Sequence, residues 1–115
     1  MMNNKFNAND PTLSVDLSEA TQAVKENRFD DALNLFTIIL EDHPDNIDAL
    51  YLASVSSRYL KNFDDSKEYI ERLMFNAPDM GRAYQELGHI YRDMGNEAKA
   101  VIHYRQACEL NPALL

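Results

Sequence analysis

The stretch LGHIYRDMGNEAKA, residues 87–100, carries two glycines inside sequence that is otherwise strongly helical. A glycine inside a helix costs about 1 kcal/mol relative to alanine, so each one should have a structural reason. Gly88 lies within helical apolar spacing, whereas Gly95 directly precedes Asn96 at a predicted turn. We therefore expect Gly88 to allow the close approach of a second helix, and Gly95 to end the first helix in the left-handed conformation.

The same pattern recurs along the chain with a period of 34 residues. Three of the four prolines have this spacing, since 78 − 44 = 34 and 112 − 78 = 34. Small residues follow the period in two columns, Ala20, Ser54 and Gly88 in one and Ala32, Ser66 and Ala100 in the other. A fixed period of this length predicts repeats over residues 13–46, 47–80 and 81–114. We expect the two columns to meet within each repeat, with Ala100 as the small face opposite Gly88.

Each repeat contains two segments with the apolar spacing of a helix, which predicts an all-α fold of six helices. Breaks within the repeats are expected at Asn27-Arg28, Lys61-Asn62 and Gly95-Asn96, and breaks between repeats at the proline segments. Helix caps are predicted at the starts of the first helices of the repeats, from Asp10, from Asp45 or Asn46, and from Asp79.

The length of 115 residues fits one small domain. Residues 1–10 are polar and predict a flexible tail, which leaves residues 11–115 for the helical domain. The longest mostly apolar run, LFTIIL, is too short to span a membrane, and the N-terminal residues lack the apolar core of a secretory signal. These features predict a cytoplasmic protein without membrane contact.

Several chemical functions are disfavoured by the composition. A net charge of −8 without clustered Lys and Arg argues against binding of nucleic acid. The chain has no glycine-rich phosphate loop and no nucleophile elbow, and its three histidines are widely separated. We therefore predict no catalytic residues, no cofactor and no metal site. The single cysteine, Cys108, excludes an internal disulfide and is expected to pack in a helix.

The third repeat resembles the tetratricopeptide repeat, whose pattern it matches at Tyr84, Leu87-Gly88, Tyr91, Ala100, Tyr104 and Pro112. The resemblance covers residues 13–114 and implies a right-handed superhelical array whose first helices line a concave groove. Members of this family use that groove to bind peptides or partner domains. The first repeat departs from the pattern, because Asp16 and Glu19 stand where core residues are expected, as suits a helix that caps the array.

The resemblance also assigns residues to the groove. These are Leu17 and Thr21 in the first repeat, Tyr51, Val55, Arg58 and Tyr59 in the second, and Arg82, Gln85, His89 and Arg92 in the third. One interpretation is a cationic, aromatic-lined groove for an acidic segment, because arginine donates paired hydrogen bonds to a carboxylate. In the alternative, Arg58 and Arg92 pair with Asp48, Glu86 or Asp93 and keep the face soluble.

No polar capping helix follows the third repeat in this sequence. Apolar residues Ile90, Met94, Val101 and Leu110 are expected to leave about 300 Å² exposed there, worth roughly 7 kcal/mol if covered. We therefore expect the isolated chain to form a homo-oligomer through this end.

A second resemblance concerns the runs YQELGH and HYRQACELNPALL, which are similar to the repeat region that precedes a sulfotransferase domain in some bacterial proteins. It implies that the chain is the non-catalytic N-terminal module of a larger enzyme. The principal interpretation is a non-catalytic scaffold for protein–protein interaction.

Overall fold

The protein is described by a computed structural model that covers the backbone of residues 11–114 and the side chains of residues 17–114. Six α-helices account for nearly all of this range: α1 (Pro11–Lys25), α2 (Phe29–Asp42), α3 (Ile47–Tyr59), α4 (Phe63–Asn76), α5 (Gly81–Asp93) and α6 (Glu97–Leu110). A short 3₁₀ turn, Pro112–Leu114, follows α6. The described range contains no strand, and the predicted all-α fold of six helices is confirmed. The predicted tail and the predicted cap at Asp10 lie outside the described residues.

The helices recur with the period read from the sequence. The second helices begin at Phe29, Phe63 and Glu97, and α3 and α5 begin at Ile47 and Gly81, all at intervals of 34 residues. Each helix packs against the next one along the chain, and the array is elongated, with dimensions of 51 × 26 × 22 Å. Local packing between neighbours therefore builds the molecule.

The turn inside each repeat has the same backbone geometry. A residue with positive φ ends each first helix: Asn27 at 62°, Lys61 at 66° and Gly95 at 84°. The next N–H donates to a carbonyl five residues earlier, at 2.8 Å in all three turns: Arg28 to Ala23, Asn62 to Ser57 and Asn96 to Tyr91. These bonds form a Schellman motif, which satisfies carbonyls at the end of the helix. The predicted left-handed conformation of Gly95 is confirmed.

The two columns of small residues meet in the second repeat. In the second repeat the Ser54 hydroxyl donates to the Ser66 carbonyl at 2.8 Å, and the Ser66 hydroxyl donates to the Ser54 carbonyl at 2.7 Å. In the third repeat Gly88 and Ala100 are both buried. A Cβ atom at Gly88 would lie 2.6 Å from the Tyr104 ring, so the missing side chain makes room for this ring.

The cap predictions have mixed outcomes. The Asn46 side chain accepts a hydrogen bond from the N–H of Ala49 at 2.9 Å, which caps α3. The prediction for Asp79 is wrong, because Met80 occupies the N-cap position of α5 and no side chain caps that helix.

The core runs along the whole array and contains Phe36, Ile39, Leu50, Ile70, Leu73 and Ile90, all fully buried. The expected exposure of Ile90 is therefore wrong, because its side chain faces the interior between helices. Met94, Val101 and Leu110 are exposed as predicted, at 44%, 51% and 42%.

Candidate functional site

The first helices α1, α3 and α5 lie side by side, since α3 contacts both of the others. The second helices α2 and α4 each pack against the first helix of their own repeat and against that of the next repeat. One face of the array is therefore built by first helices. Eight of the residues predicted to line the groove lie on α3 or α5: Tyr51, Val55, Arg58, Tyr59, Arg82, Gln85, His89 and Arg92.

An exposed arginine lies over an aromatic ring near the start of α5. The guanidinium of Arg82 is 5.4 Å from the centroid of the Tyr51 ring, at a distance suited to a cation–π interaction. No ion pair to Arg82 is present among the described side chains. Burial, and then the charge of Glu86, raises the pKa of Tyr51, so its hydroxyl keeps its proton at neutral pH. This pair can offer donors to an anionic group.

Arg58 has a different environment from the one expected of a groove cation. Its side chain is only 7% exposed. The Nε atom donates to Glu86 at 2.5 Å, Nη2 donates to the same carboxylate at 3.4 Å, and Nη1 donates to Asp93 at 2.9 Å. Burial by itself lowers the pKa of Arg58, but hydrogen bonds and attraction from Glu86 and Asp93 outweigh burial and raise it. The guanidinium is therefore a permanent charge that two carboxylates of α5 hold in place.

This arrangement changes the expected role of Arg58. Glu86 is 2% exposed, and burial raises its pKa despite the opposing effect of Arg58. Because the Arg58 guanidinium has two carboxylate partners, it is not a free donor for an acidic ligand. The alternative interpretation from the sequence, in which arginines pair with neighbouring carboxylates, describes this part of the face.

Arg92 is more exposed than Arg58, but unlike Arg82 it has an ion-pair partner among the described side chains. Its side chain is about half exposed and lies 3.0 Å from Asp93, a carboxylate that it shares with Arg58. Asp93 has a lowered pKa, because hydrogen bonds from the two arginines outweigh the effect of burial. Arg92 therefore retains N–H donors that face solvent. The negative charge of the neighbouring Asp93 is compensated by Arg58.

His89 contacts a side chain of its own repeat, Tyr104. Its Nδ1 atom is 2.7 Å from the Tyr104 hydroxyl, and the two rings meet edge to face. Burial, followed by repulsion from Arg58 and Arg92, lowers the pKa of His89 to about 4. His89 is therefore neutral at physiological pH and adds no charge to the face.

The remaining predicted residues are distributed along the face and its edge. Val55 and Gln85 are half-buried. Tyr59 is 55% exposed and stacks on Phe29 with parallel rings whose centroids are 4.5 Å apart. A recess of about 400 Å³ adjoins this stack and is lined by Arg58, Tyr59, Lys61, Phe63 and Asp93.

A larger recess lies between α1 and α3, with a volume of about 480 Å³. It is lined by Leu17, Ser18, Thr21, Gln22, Lys25, Asp48 and Leu52. Leu17 and Thr21 were expected in the groove, but the other five residues were not identified from the sequence. For Ser18, Gln22 and Lys25 the signal was their helical spacing with Thr21, which places polar residues on one face of α1.

Two tetratricopeptide repeat models match the chain, one over residues 23–88 and one over residues 81–114. The chain belongs to the tetratricopeptide repeat family. Arrays of this family typically serve as non-catalytic scaffolds for protein interaction, and the present chain has that architecture.

Solved structures share the fold of this tetratricopeptide array. MamA AMB-1 aligns with a TM-score of 0.81 and 22% identity, over 88% of this chain and 60% of that one. MamA 41-end from Desulfovibrio magneticus RS-1 aligns with a TM-score of 0.81 and 16% identity, over 88% of this chain and 57% of that one. The chain thus spans about three fifths of these MamA structures. Among curated proteins no sequence matches.

The tetratricopeptide array shows neither a metal cluster nor a membrane-spanning helix in the residues that the structure describes. Within the described residues, no three His, Cys, Asp or Glu side chains are grouped so that they could hold a metal ion. No helix in residues 11–114 is long and apolar enough to cross a membrane.

Proposed function

We propose that the face built by α1, α3 and α5 binds an acidic segment of another protein. The observation that carries this proposal is Arg82, which is exposed, lies over Tyr51 and has no ion pair among the described side chains. A cation presented in this way by a chain of net charge −8 is selective for a local anionic group rather than for polyanions in general.

The spacing of the exposed arginines specifies the segment further. Arg82, Gln85, His89 and Arg92 form one stripe along α5, at the helical positions i, i+3, i+7 and i+10. Ten residues of helix place the two arginines about 15 Å apart. An extended peptide covers this distance in about four or five residues, so two acidic side chains at that separation can reach both arginines. Arg58, Glu86 and Asp93 then position the stripe and do not contact the ligand.

Affinity capture with mass spectrometry tests the proposal. The wild type is compared with Arg82→Glu/Arg92→Glu, which reverses both exposed charges of the stripe. Lys67→Glu/Lys99→Glu is the matched control, because it makes the same change in net charge on α4 and α6, away from the face of first helices. Proteins with acidic segments should be captured by the wild type and the control, and lost from the stripe variant. Equal capture by all three proteins would refute the role of the groove.

A second proposal concerns self-association through α6. Phe36 and Leu40 on α2 are buried beneath α3, whereas the equivalent residues of α6, Tyr104 and Cys108, border an apolar recess of about 330 Å³ together with Val101 and Arg105. The four lining positions are symmetric about the point between residues 104 and 105. Two antiparallel α6 helices would therefore bring Val101 against Cys108 of the second copy, and Tyr104 against Arg105 of the second copy.

Head-to-tail stacking on α1 is disfavoured by Glu19. This residue occupies the position of Ala53 and Leu87, which are 0% and 4% exposed beneath the preceding repeat. Burial of its carboxylate there would be costly. Under reducing conditions, light scattering should therefore show wild-type dimers at high concentration and monomers for Val101→Glu. A wild-type chain that stays monomeric would contradict this proposal.

The resemblance to a region that precedes sulfotransferase domains supports an alternative proposal, in which the chain is a non-catalytic module of a larger enzyme. The exposed α6 face favours it, because a further domain could pack there. The reading frame beyond Leu115 decides between this module and an independent adaptor.

A further inference from the structure

Phe75, near the end of α4, is 87% exposed. The internal repeat supplies a control for this position, since residues 34 before and 34 after it are Glu41 and Glu109, and both are exposed. This position of the repeat therefore faces solvent, and the fold forms with a glutamate there. An aromatic ring at this position contributes little to packing within the described part of the chain, and its apolar surface is available for a contact with another molecule.

Phe75 borders a recess between the loop that joins α2 to α3 and the last turns of α4. The recess has a volume of about 440 Å³ and is lined by Asp45, Glu68, Glu71, Arg72, Phe75 and Asn76. These residues lie on a second helix and on a loop between repeats, so the recess is separate from the α1–α3–α5 face.

The two side chains of this recess that carry hydrogen-bond donors, Arg72 and Asn76, both bond to other groups of the fold. Arg72 Nη2 donates to the Pro44 carbonyl at 2.9 Å. Asn76 Nδ2 donates to Asp45 Oδ1 at 3.2 Å and to the Arg72 carbonyl at 2.9 Å. These bonds tie α4 to the preceding loop and shape the wall of the recess.

The acceptors, in contrast, are largely free. Glu68 and Glu71 are exposed, and neither has a hydrogen bond or an ion pair with another described side chain. The lining holds three carboxylates and one guanidinium, which gives a charge of 1 − 3 = −2. A ligand here needs an apolar group for Phe75 and cations for the two glutamates, and phosphate-bearing ligands are repelled.

We infer that this recess docks a short basic segment of another protein, with an apolar side chain against Phe75 and Lys or Arg side chains beside Glu68 and Glu71. The inference goes beyond the proposed function, because the charge preference is opposite and the contact residues differ. An array with both sites can hold two partners at once, one on each surface.

Backbone NMR of the ¹⁵N-labelled chain tests the inference with three blocked octapeptides. One alternates Leu and Lys, the second alternates Ser and Lys, and the third alternates Leu and Glu. The Leu-Lys peptide should shift amide signals around Glu68, Glu71, Phe75 and Asn76, while each of the other two should bind at least tenfold more weakly. Equal binding of the two Lys peptides, or shifts spread over the whole acidic surface, would overturn the inference.

Phe75→Glu installs the residue type of the other two repeats and should weaken binding of the Leu-Lys peptide at least tenfold. Ile38→Glu is the matched control, since Ile38 is another exposed apolar residue, 46% exposed, at a different position of the repeat. The Ile38→Glu variant should bind the Leu-Lys peptide with the same affinity as the wild type. Circular dichroism checks that both variants remain helical. Unchanged affinity of Phe75→Glu, or equal losses in both variants, would also overturn the inference.

Discussion

Gly88 is a residue at which helix propensity and packing make opposite predictions. Alanine in a helix interior is favoured over glycine by about 1 kcal/mol. A Cβ atom at this position, however, would lie 2.6 Å from two atoms of the Tyr104 ring. Overpacking of this kind costs about 1–3 kcal/mol, so we expect Gly88→Ala to destabilise the fold, as measured by urea unfolding.

A double mutant separates this clash from any other effect of the substitution. In a Tyr104→Leu background the ring is absent, and Gly88→Ala should become neutral or stabilising. If Gly88→Ala destabilises both backgrounds equally, the Tyr104 ring is not the reason for the glycine.

Lys61 is the one lysine with positive φ in the described backbone. An L-residue in the left-handed region costs about 1–2 kcal/mol, and glycine reaches it without steric penalty. Lys61→Gly should therefore raise the free energy of unfolding by about 1 kcal/mol, whereas Gly95→Lys should lower it. The two changes are matched, because both turns have the same Schellman hydrogen bonds. A thermal unfolding midpoint that falls for Lys61→Gly would contradict the account.

His89 gives the stability of the array a defined dependence on pH. Its pKa in the folded protein is lowered from 6.5 to about 4, so between these values the unfolded chain binds a proton that the folded chain does not. Stability from this residue is therefore present above pH 6.5 and is lost as the pH falls toward 4. The melting temperature of His89→Gln should fall less steeply over this range than that of the wild type. His103→Gln is the control, and an identical slope for His89→Gln and wild type would be inconsistent with this pKa.

At the scale of elements, α3 and α5 are joined by the buried ion pair between Arg58 and Glu86. Removal of one partner of a buried pair costs about 3–5 kcal/mol, because the other charge stays behind without compensation. Arg58→Met should therefore be severely destabilising, since it leaves Glu86 buried alone. Glu86→Leu should cost less, because Arg58 keeps its bond to Asp93 at 2.9 Å.

The double variant Arg58→Met/Glu86→Leu should recover most of the stability lost in Arg58→Met, since no buried charge then remains unpaired. Urea unfolding of the four proteins gives the coupling energy. Simple additivity of the two single changes would mean that the pair contributes nothing as a unit.

Periodicity made the elements predictable from the sequence. The spacing of 34 residues located the turns, because Asn27, Lys61 and Gly95 all adopt positive φ at the end of a first helix. It also located the contact between small residues, which in the second repeat is the reciprocal pair of Ser54 and Ser66. Because such features recur, the sequence of each repeat supports the prediction made from the other two.

Features that occur in one repeat alone were not predictable in this way. A pattern places Arg58 on the face of α3, but it does not show whether the guanidinium points to solvent or toward Glu86. The same holds for Gly88, where the size of the neighbouring Tyr104 ring decides what the glycine accommodates. The burial of Ile90 depends on the angle between neighbouring helices, which a linear pattern does not contain.

At the scale of the whole molecule, the array separates its charges although the net charge is −8. Arg82 and Arg92 lie along α5 on the face of first helices, whereas Glu68 and Glu71 lie around Phe75 on α4. The two docking surfaces that we propose have opposite charge preferences, and an elongated scaffold that carries both would bring an acidic segment and a basic segment together.

The binding of an acidic segment to the face of first helices can be tested directly by locating a bound peptide on the folded chain. A peptide chosen by display selection against the wild type is titrated into the ¹⁵N-labelled protein, and backbone amide shifts are measured. We predict shifts at Tyr51, Arg82, Gln85 and Arg92, and their loss in Arg82→Glu/Arg92→Glu. Shifts confined to α2, α4 and α6, or binding that survives both charge reversals, would contradict the account.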